Sequence, residues 1–164
     1  MTSQVATCLW FNGEAEEAAT FYTALLGGSI DGVMRYQEDS QFPPFFKAGT
    51  VLLVEFTLFG QRFQGLNGGP QFPLSEAVSI SITCADQAEL DARFDALTAD
   101  GGVERPCGWL KDRFGMSWQL VPQAMIAMQK SGDGAAIARM TGAMMTMHKL
   151  DIAVLEAAFR GDAA

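Results

Sequence analysis

The chain has 164 residues, of which 49% are hydrophobic and 18% charged, so it is long and apolar enough to form one domain with a substantial core. Nineteen Asp and Glu residues against eleven Lys and Arg residues give a formal net charge of -8. This charge repels phosphate backbones and anionic lipid headgroups, which argues against nucleic acids and membranes as partners.

The sequence predicts neither a signal peptide nor a membrane span. Residues 1–4 contain no basic stretch followed by an apolar one, and no apolar run approaches the roughly 18 residues that a span needs. We therefore expect a cytoplasmic protein. Its cysteines, Cys8, Cys84 and Cys107, form no CxxC pair, which predicts reduced, buried and inert thiols.

The first half of the chain predicts a strand, a helix and three further strands. Residues 5–11 favour a strand that ends at Asn12, and the Asn12 side chain is expected to cap the helix over residues 14–26. Gly27-Gly28 ends this helix. The three extended segments that follow cover residues 29–37, 50–59 and 61–66.

The second half repeats this order. Asp86 and Glu89 resemble a capping box at the start of a helix that follows the strand over residues 77–84. Asp86 follows Asn12 by 74 positions, as Gly101 follows Gly27, which indicates a faint internal duplication. Short strands are predicted over residues 103–105, 109–112 and 117–121, with a type I turn at residues 112–115.

The segment over residues 39–46 is predicted to be a loop, because Pro43-Pro44 removes the donors that an interior strand needs. Its aromatic residues are Phe42, Phe45 and Phe46. Two interpretations stay open: the rings pack on their own core or on a partner subunit, or the loop is a flap over a pocket.

Beyond Pro122 the composition becomes helical, with a break at Ser131-Gly132. Four apolar side chains fall on one helical face, namely Ile137, Met140, Met144 and Met147. This stripe predicts helix packing or a dimer contact, and an adaptable ligand surface is the alternative.

Few residues of the chain favour acid–base or metal chemistry. His148 is the only histidine and lies in the helical tail, which argues against a multi-histidine metal site and a Ser-His-Asp triad. Lys111, Asp112 and Arg113 are expected to form surface ion pairs. Gly68-Gly69 is followed by proline instead of a helix, so it does not predict a nucleotide-type cofactor loop.

Neutral polar side chains instead suggest ligand recognition. The strand ending at Cys84 alternates apolar residues with Ser79, Ser81 and Thr83, which predicts a small polar face. Such a face has room for a ligand, and a solvent-exposed face would show the same pattern. Gln64 and Gln119 lie among apolar neighbours, where an amide donates and accepts hydrogen bonds but is a poor general base.

Four sequence motifs carry a family resemblance: LWFNG at residues 9–13, AATFY at residues 18–22, LNGGP at residues 66–70 and CGWLKDRFGMSWQ at residues 107–119. They resemble the PhnB-like branch, labelled 3-demethylubiquinone-9 3-methyltransferase-like, of the glyoxalase, bleomycin-resistance and dioxygenase (vicinal oxygen chelate) superfamily. The resemblance implies an α+β fold with two βαβββ modules in a cupped mixed sheet, at residues 1–70 and 71–124. A C-terminal helical extension covers residues 125–164, and a homodimer is expected.

The resemblance also indicates where a metal would be held. Metal-dependent relatives use His and Glu residues that project into the cup from the first and last strands of each module. These positions fall near Thr7 and Ser79 on the first strands and at Gln64 and Gln119 on the last strands. The sequence departs from the family pattern at all four, so we expect no metal and no cofactor.

The resulting hypothesis is a metal-free protein that binds a small molecule in the cup. The expected ligand-binding residues are Thr7, Phe56, Gln64, Ser79, Ser81, Trp109 and Gln119. One alternative is an enzyme of the same superfamily, either a metal-dependent lyase, isomerase or dioxygenase or a methyltransferase. Another is a structural or regulatory dimer whose cup is filled by its own aromatic side chains.

Overall fold

The computed structural model describes residues 4–41 and 43–162. The chain divides into two compact units, unit 1 over residues 1–74 and unit 2 over residues 75–164. Each unit contains one four-stranded mixed sheet. The predicted α+β class and the order of strand, helix and three strands are confirmed in both units, and the strand ends differ from the predicted ones by at most two residues. That the two modules form one domain stays a prediction.

Unit 1 consists of β1 (Thr7–Phe11), α1 (Ala15–Leu26), β2 (Gly28–Arg35), β3 (Val51–Leu58) and β4 (Gln61–Asn67). The strands lie in the order β1-β4-β3-β2, with β1 parallel to β4 and the remaining pairs antiparallel. Helix α1 packs on one face of this sheet. The core between them includes Tyr22, whose ring lies 6.3 Å from that of Phe56.

Unit 2 begins with β5 (Ser79–Cys84), α2 (Gln87–Thr98), β6 (Val103–Glu104), β7 (Trp109–Lys111) and β8 (Ser117–Pro122). The strands lie in the order β5-β8-β7-β6, with β5 parallel to β8. Helix α2 packs on one face of this sheet, against buried side chains that alternate along the strands. These include Ile82, Cys84, Leu110, Trp118 and Leu120.

Three helices complete unit 2: α3 (Gln123–Gln129), α4 (Gly134–Met144) and α5 (Ile152–Arg160). Met140 of α4 is buried, and α4 packs against α5, which supports helix packing for this residue of the stripe, whereas Ile137, Met144 and Met147 are half-buried. Met147 lies beyond the end of α4. None of the helices within residues 4–41 and 43–162 is long and apolar enough to cross a membrane.

The two predicted helix caps have different outcomes. Asp86 caps α2 as predicted, since its carboxylate accepts the backbone N–H of Glu89 at 2.9 Å. The prediction for Asn12 is wrong: α1 has Glu14 at its N-cap and no side-chain cap of its own. The amide oxygen of Asn67 accepts the N–H groups of Gly13 and Ala15 instead, at 3.1 and 3.0 Å.

Asp112 is buried, whereas the sequence suggests a place at the surface. Its side chain is buried, and its carboxylate accepts the backbone N–H groups of Phe114 and Met116 and the indole N–H of Trp118. The predicted turn is present, because the N–H of Gly115 donates to the carbonyl of Asp112 at 3.0 Å. The carboxylate therefore holds this turn against the end of the sheet.

The expectation of three buried thiols is correct only for Cys84. Cys8 is exposed and Cys107 is half-buried. Burial raises the pKa of the Cys84 thiol above its ordinary value, and partial burial raises the pKa of Cys8 as well.

The predicted loop over residues 39–46 lies between β2 and β3. Phe46 stacks on Tyr36 with ring centroids 5.3 Å apart, whereas Phe45 is exposed. Phe42 lies outside the described residues. The stacking supports self-packing for one of the rings, and the role of the loop as a flap stays a prediction.

Candidate functional site

The sheet of unit 2 has a polar face, opposite to the face that α2 covers. Because side chains alternate along a strand and paired residues share a face, the register places six neighbouring residues on it, next to Thr83 and Val121. We call this surface the polar face; its residues are Ser79, Ser81, Trp109, Lys111, Ser117 and Gln119.

One cross-strand row of the polar face contains three of the four residues of unit 2 that are expected to bind a ligand. Gln119 pairs with Ser81 on one side and with Trp109 on the other, and we call these three residues the Gln119 row. Gln119 and Trp109 are half-buried and Ser81 is exposed. The Gln119 amide also donates to the Ser79 hydroxyl at 2.8 Å, so all four predicted residues of unit 2 lie together.

The next row was not predicted as part of the site. Ser117 pairs with Ser79 and with Lys111, and we call these three residues the Ser117 row. The Lys111 ammonium lies 3.8 Å from the carboxylate of Glu76, which also lies 3.8 Å from the Arg105 guanidinium. The alternation of Val78 to Cys84 in sequence pointed to this face, but only the register across β7 and β8 adds Lys111 and Ser117 to it.

Unit 1 presents a different row on the face opposite to α1. Gln64 pairs with Cys8 and with Glu55. The Gln64 amide donates to the Glu55 carboxylate at 3.2 Å, and the Arg62 guanidinium donates to the same oxygen at 3.4 Å. A thiol, an amide and a carboxylate therefore lie side by side, and the carboxylate is partly neutralised by Arg62.

Two predicted ligand-binding residues of unit 1 lie on the opposite face from Gln64. Phe56 is buried under α1, and its ring stacks on Phe63 with centroids 5.3 Å apart. Thr7 pairs with Phe63 and so shares that side of the sheet. Thr7 instead lines a shallow depression of about 470 Å³ formed by residues 4–7 and 60–62. The structure therefore does not bring Thr7 or Phe56 together with Gln64.

Thr7 lies one position before Cys8, which is the residue of β1 that pairs with Gln64. Cys8 pairs with Gln64 as Ser81 pairs with Gln119, so Cys8 and Ser81 occupy corresponding places in the two sheets. The side-chain period of a strand is two, and a shift by one residue moves every side chain to the other face.

The residues at the family's metal-binding positions do not fit a metal. The last strands offer the neutral amides of Gln64 and Gln119, whose nitrogens already donate to Glu55 and Ser79. The first strands offer a thiol and hydroxyls where metal-dependent relatives have histidine, and a neutral amide or hydroxyl is a weaker ligand than imidazole or carboxylate. Within residues 4–41 and 43–162, no group of three or more His, Cys, Asp or Glu side chains is arranged to hold a metal ion.

The motifs that carry the family resemblance have structural roles within each unit. The indole N–H of Trp10 donates to the carbonyl of Gly69 at 2.7 Å, and the N–H of Gly68 donates to the carbonyl of Phe11 at 3.0 Å. Asn67 joins the start of α1 to the carbonyl of Val51. These motifs therefore hold the ends of strands together and do not identify a ligand.

Comparisons with known proteins agree with this fold. The model of a family described as 3-demethylubiquinone-9 3-methyltransferase matches residues 3–121. The PhnB protein from Bacillus cereus is 35% identical over 73% of this chain and 99% of its own, with a TM-score of 0.62. Protein PA1353 from Pseudomonas aeruginosa is 25% identical over 74% of this chain and 98% of its own, with a TM-score of 0.60.

A more distant similarity concerns the fold alone. The fosfomycin resistance protein FosX from Mesorhizobium loti is 11% identical over 74% of this chain and 91% of its own, with a TM-score of 0.51. The search of curated proteins found no match. The chain belongs to the PhnB-like family, described as 3-demethylubiquinone-9 3-methyltransferase.

Proposed function

We propose that this protein binds a small molecule without a metal ion, and that the polar face of unit 2 supplies the recognition groups. The observation that carries the proposal is the Gln119 row, in which an indole, an amide and a hydroxyl lie side by side on one sheet face. Small-molecule sites combine an apolar surface with a few well-placed polar groups. Trp109 supplies the apolar surface, and Gln119 and Ser81 supply donors and acceptors.

The chemistry of the two glutamines supports binding without acid–base catalysis. An amide does not titrate near neutral pH, so neither Gln64 nor Gln119 serves as a general base. The Gln119 amide is oriented by its hydrogen bond to Ser79, which leaves its oxygen to accept from a ligand. Gln64 is oriented in the same way by Glu55.

The first experiment tests the metal-free part of the proposal. Protein purified without chelator or affinity-tag metal is measured by inductively coupled plasma mass spectrometry, together with calorimetric titration of S-adenosylmethionine. We expect no near-stoichiometric divalent ion and no binding of S-adenosylmethionine. A stoichiometric ion would favour a metal-dependent enzyme of the superfamily, and binding of S-adenosylmethionine would favour the methyltransferase that the family description names.

The second experiment locates the ligand face. A mixed library of neutral, cationic and anionic fragments is screened by ¹⁵N-¹H NMR on the full chain, and the Gln119→Ala and Trp109→Leu variants are compared with Gln129→Ala. Gln129 is an exposed glutamine of α3 and serves as the matched control. Fragments that bind should perturb the backbone amides of β5, β7 and β8. The two site variants should weaken the binding of these fragments about tenfold. Fragments that bind Gln119→Ala and Trp109→Leu as tightly as they bind the native protein would contradict the proposed face.

We further propose that the protein is a homodimer, as the family resemblance implies. Sedimentation velocity at several protein concentrations measures the mass of the particle. A mass of twice 17.7 kDa is the expected result, and a monomer at all concentrations would contradict it.

A further inference from the structure

The Ser117 row contains a buried hydroxyl that no hydrogen bond satisfies within the described part of the chain. Ser117 is 1% exposed, and its Oγ has no partner among residues 4–41 and 43–162. A buried hydroxyl without a partner costs free energy, and most such groups in folded proteins are paired. The unpaired hydroxyl of Ser117 therefore destabilises the free protein. A ligand that accepts the hydroxyl proton would remove this cost.

The neighbours of Ser117 on the same face are also hydrogen-bond donors. The Ser79 hydroxyl accepts from the Gln119 amide, and its own proton is still available for donation. Lys111 carries three N–H donors on an ammonium group. The Gln119 amide donates diagonally to the hydroxyl of Ser79, which is the cross-strand partner of Ser117.

Cationic side chains lie near the Ser117 row although the protein as a whole is acidic. Lys111 and Arg105 share the single carboxylate of Glu76, at 3.8 Å from each cation. Within this group of three side chains, one positive charge is in excess. The net charge of the chain is -8, so this local excess is opposite in sign to that of the surrounding protein.

We propose that the Ser117 row binds the carboxylate of a small aromatic acid whose ring lies on Trp109, an assignment that rests on the proposed function of the polar face. Ser79 and Ser117 donate to the carboxylate, and Lys111 supplies the compensating charge. Trp109 and Lys111 are two residues apart on β7, so their side chains are about 7 Å apart along the strand. This separation suits an acid whose carboxylate is one or two bonds from its ring.

The probe that tests the proposal is phenylacetate, with phenylacetamide as its neutral counterpart. Calorimetric titration on the full chain should show that phenylacetate binds about tenfold more tightly than the amide, because a charge-assisted hydrogen bond is worth that factor or more. Lys111→Gln should abolish the preference. Lys130→Gln, which changes an exposed lysine at the end of α3, should leave it unchanged.

Ser117→Ala gives a second result that a purely structural role does not predict. Removing the unpartnered hydroxyl should raise the melting temperature of the ligand-free protein and weaken phenylacetate binding about fivefold. If the substitution lowers the melting temperature, or leaves phenylacetate affinity unchanged, the assignment of Ser117 is wrong.

The outcomes separate the failure of this proposal from the failure of the proposed function. If phenylacetate and phenylacetamide bind equally, or neither binds while other fragments perturb β5, β7 and β8, the carboxylate site is wrong and the ligand face stands. If no fragment of any charge perturbs these strands, the ligand face and the carboxylate site are both wrong.

Discussion

The carboxylate of Asp112 accepts the indole N–H of Trp118 at 2.8 Å, and both side chains are buried in unit 2. The same carboxylate accepts the backbone N–H groups of Phe114 and Met116 at 2.9 and 3.0 Å. One side chain therefore closes the turn between β7 and β8 and fixes the ring at the start of β8. The strand that carries Ser117 and Gln119 is positioned by this contact.

Loss of the Asp112 carboxylate should destabilise unit 2. Asp112→Asn keeps the volume but turns one acceptor into a donor that faces buried N–H groups, which should lower the free energy of unfolding by about 3 kcal/mol. Urea unfolding followed by far-UV circular dichroism measures the free energy of unfolding of this variant and of the native protein. Asp100→Asn is the control, since Asp100 is an exposed carboxylate paired with Arg113, and its effect should stay within about 0.5 kcal/mol. Equal effects of the two variants would contradict the role of Asp112.

Asn67 should stabilise the start of α1 more than Asn12 does. Asn67→Ala leaves the N–H groups of Gly13 and Ala15 and the carbonyl of Val51 without this partner, which should cost about 2 kcal/mol. Asn12→Ala should change the free energy of unfolding by less than about 0.5 kcal/mol, because Asn12 is exposed and does not cap the helix. Chemical denaturation measures the free energy of unfolding of both variants. A larger loss of this free energy in Asn12→Ala than in Asn67→Ala would show that Asn12, and not Asn67, stabilises the start of α1.

Gly68 should not tolerate a side chain. A Cβ atom at this position would collide with the indole ring of Trp10, which is held by its hydrogen bond to Gly69. Gly68→Ala should therefore destabilise the protein by about 2 kcal/mol. Gly142→Ala is the opposite case: it lies in α4, its Cβ meets open space, and it should stabilise by about 1 kcal/mol. Thermal unfolding of both variants should show shifts of opposite sign, and a neutral Gly68→Ala would contradict the close packing.

Much of this fold could be predicted from local patterns in the sequence. The alternation that ends at Cys84 correctly placed Ser79 and Ser81 on one polar face, and the spacing of Asp86 and Glu89 correctly predicted a cap. These features depend on residues within a few positions of each other. Thr7, the expected ligand-binding residue of β1, lies on the other face of the sheet from Gln64, because a shift of one position along a strand moves a side chain to the opposite face.

The features that were missed depend on distant partners. Asn67 reaches N–H groups that lie 52 and 54 positions earlier in the chain. Asp112 is buried because its turn folds back onto Trp118, while its charged neighbours in sequence, Lys111 and Arg113, suggested solvent. Lys111 and Ser117 joined the candidate site only through the pairing of β7 with β8. Such relationships require the register of the sheet, which a single sequence does not contain.

The three cysteines should react with alkylating reagents at different rates. Cys8 is exposed and should be modified first by iodoacetamide, Cys107 more slowly, and Cys84 only on unfolding. Because the pKa of Cys8 is raised, its rate should continue to rise with pH beyond the ordinary range of a cysteine thiol. Mass spectrometry of the labelled peptides measures the order, and Cys8→Ser should remove the fast phase. Rapid labelling of Cys84 in the folded protein would contradict its burial.

Burial of Cys84 should also make stability depend on alkaline pH. Its folded-state pKa is raised, chiefly by burial, so the folded state holds the thiol proton more tightly than the unfolded state does. Its contribution to stability is complete below the ordinary thiol pKa and is lost as pH rises through the raised value. Urea unfolding at a series of alkaline pH values should therefore show a steeper loss of unfolding free energy in the native protein than in Cys84→Ala. Parallel curves for the native protein and Cys84→Ala would show that the Cys84 thiolate is as well accommodated in the folded chain as in water.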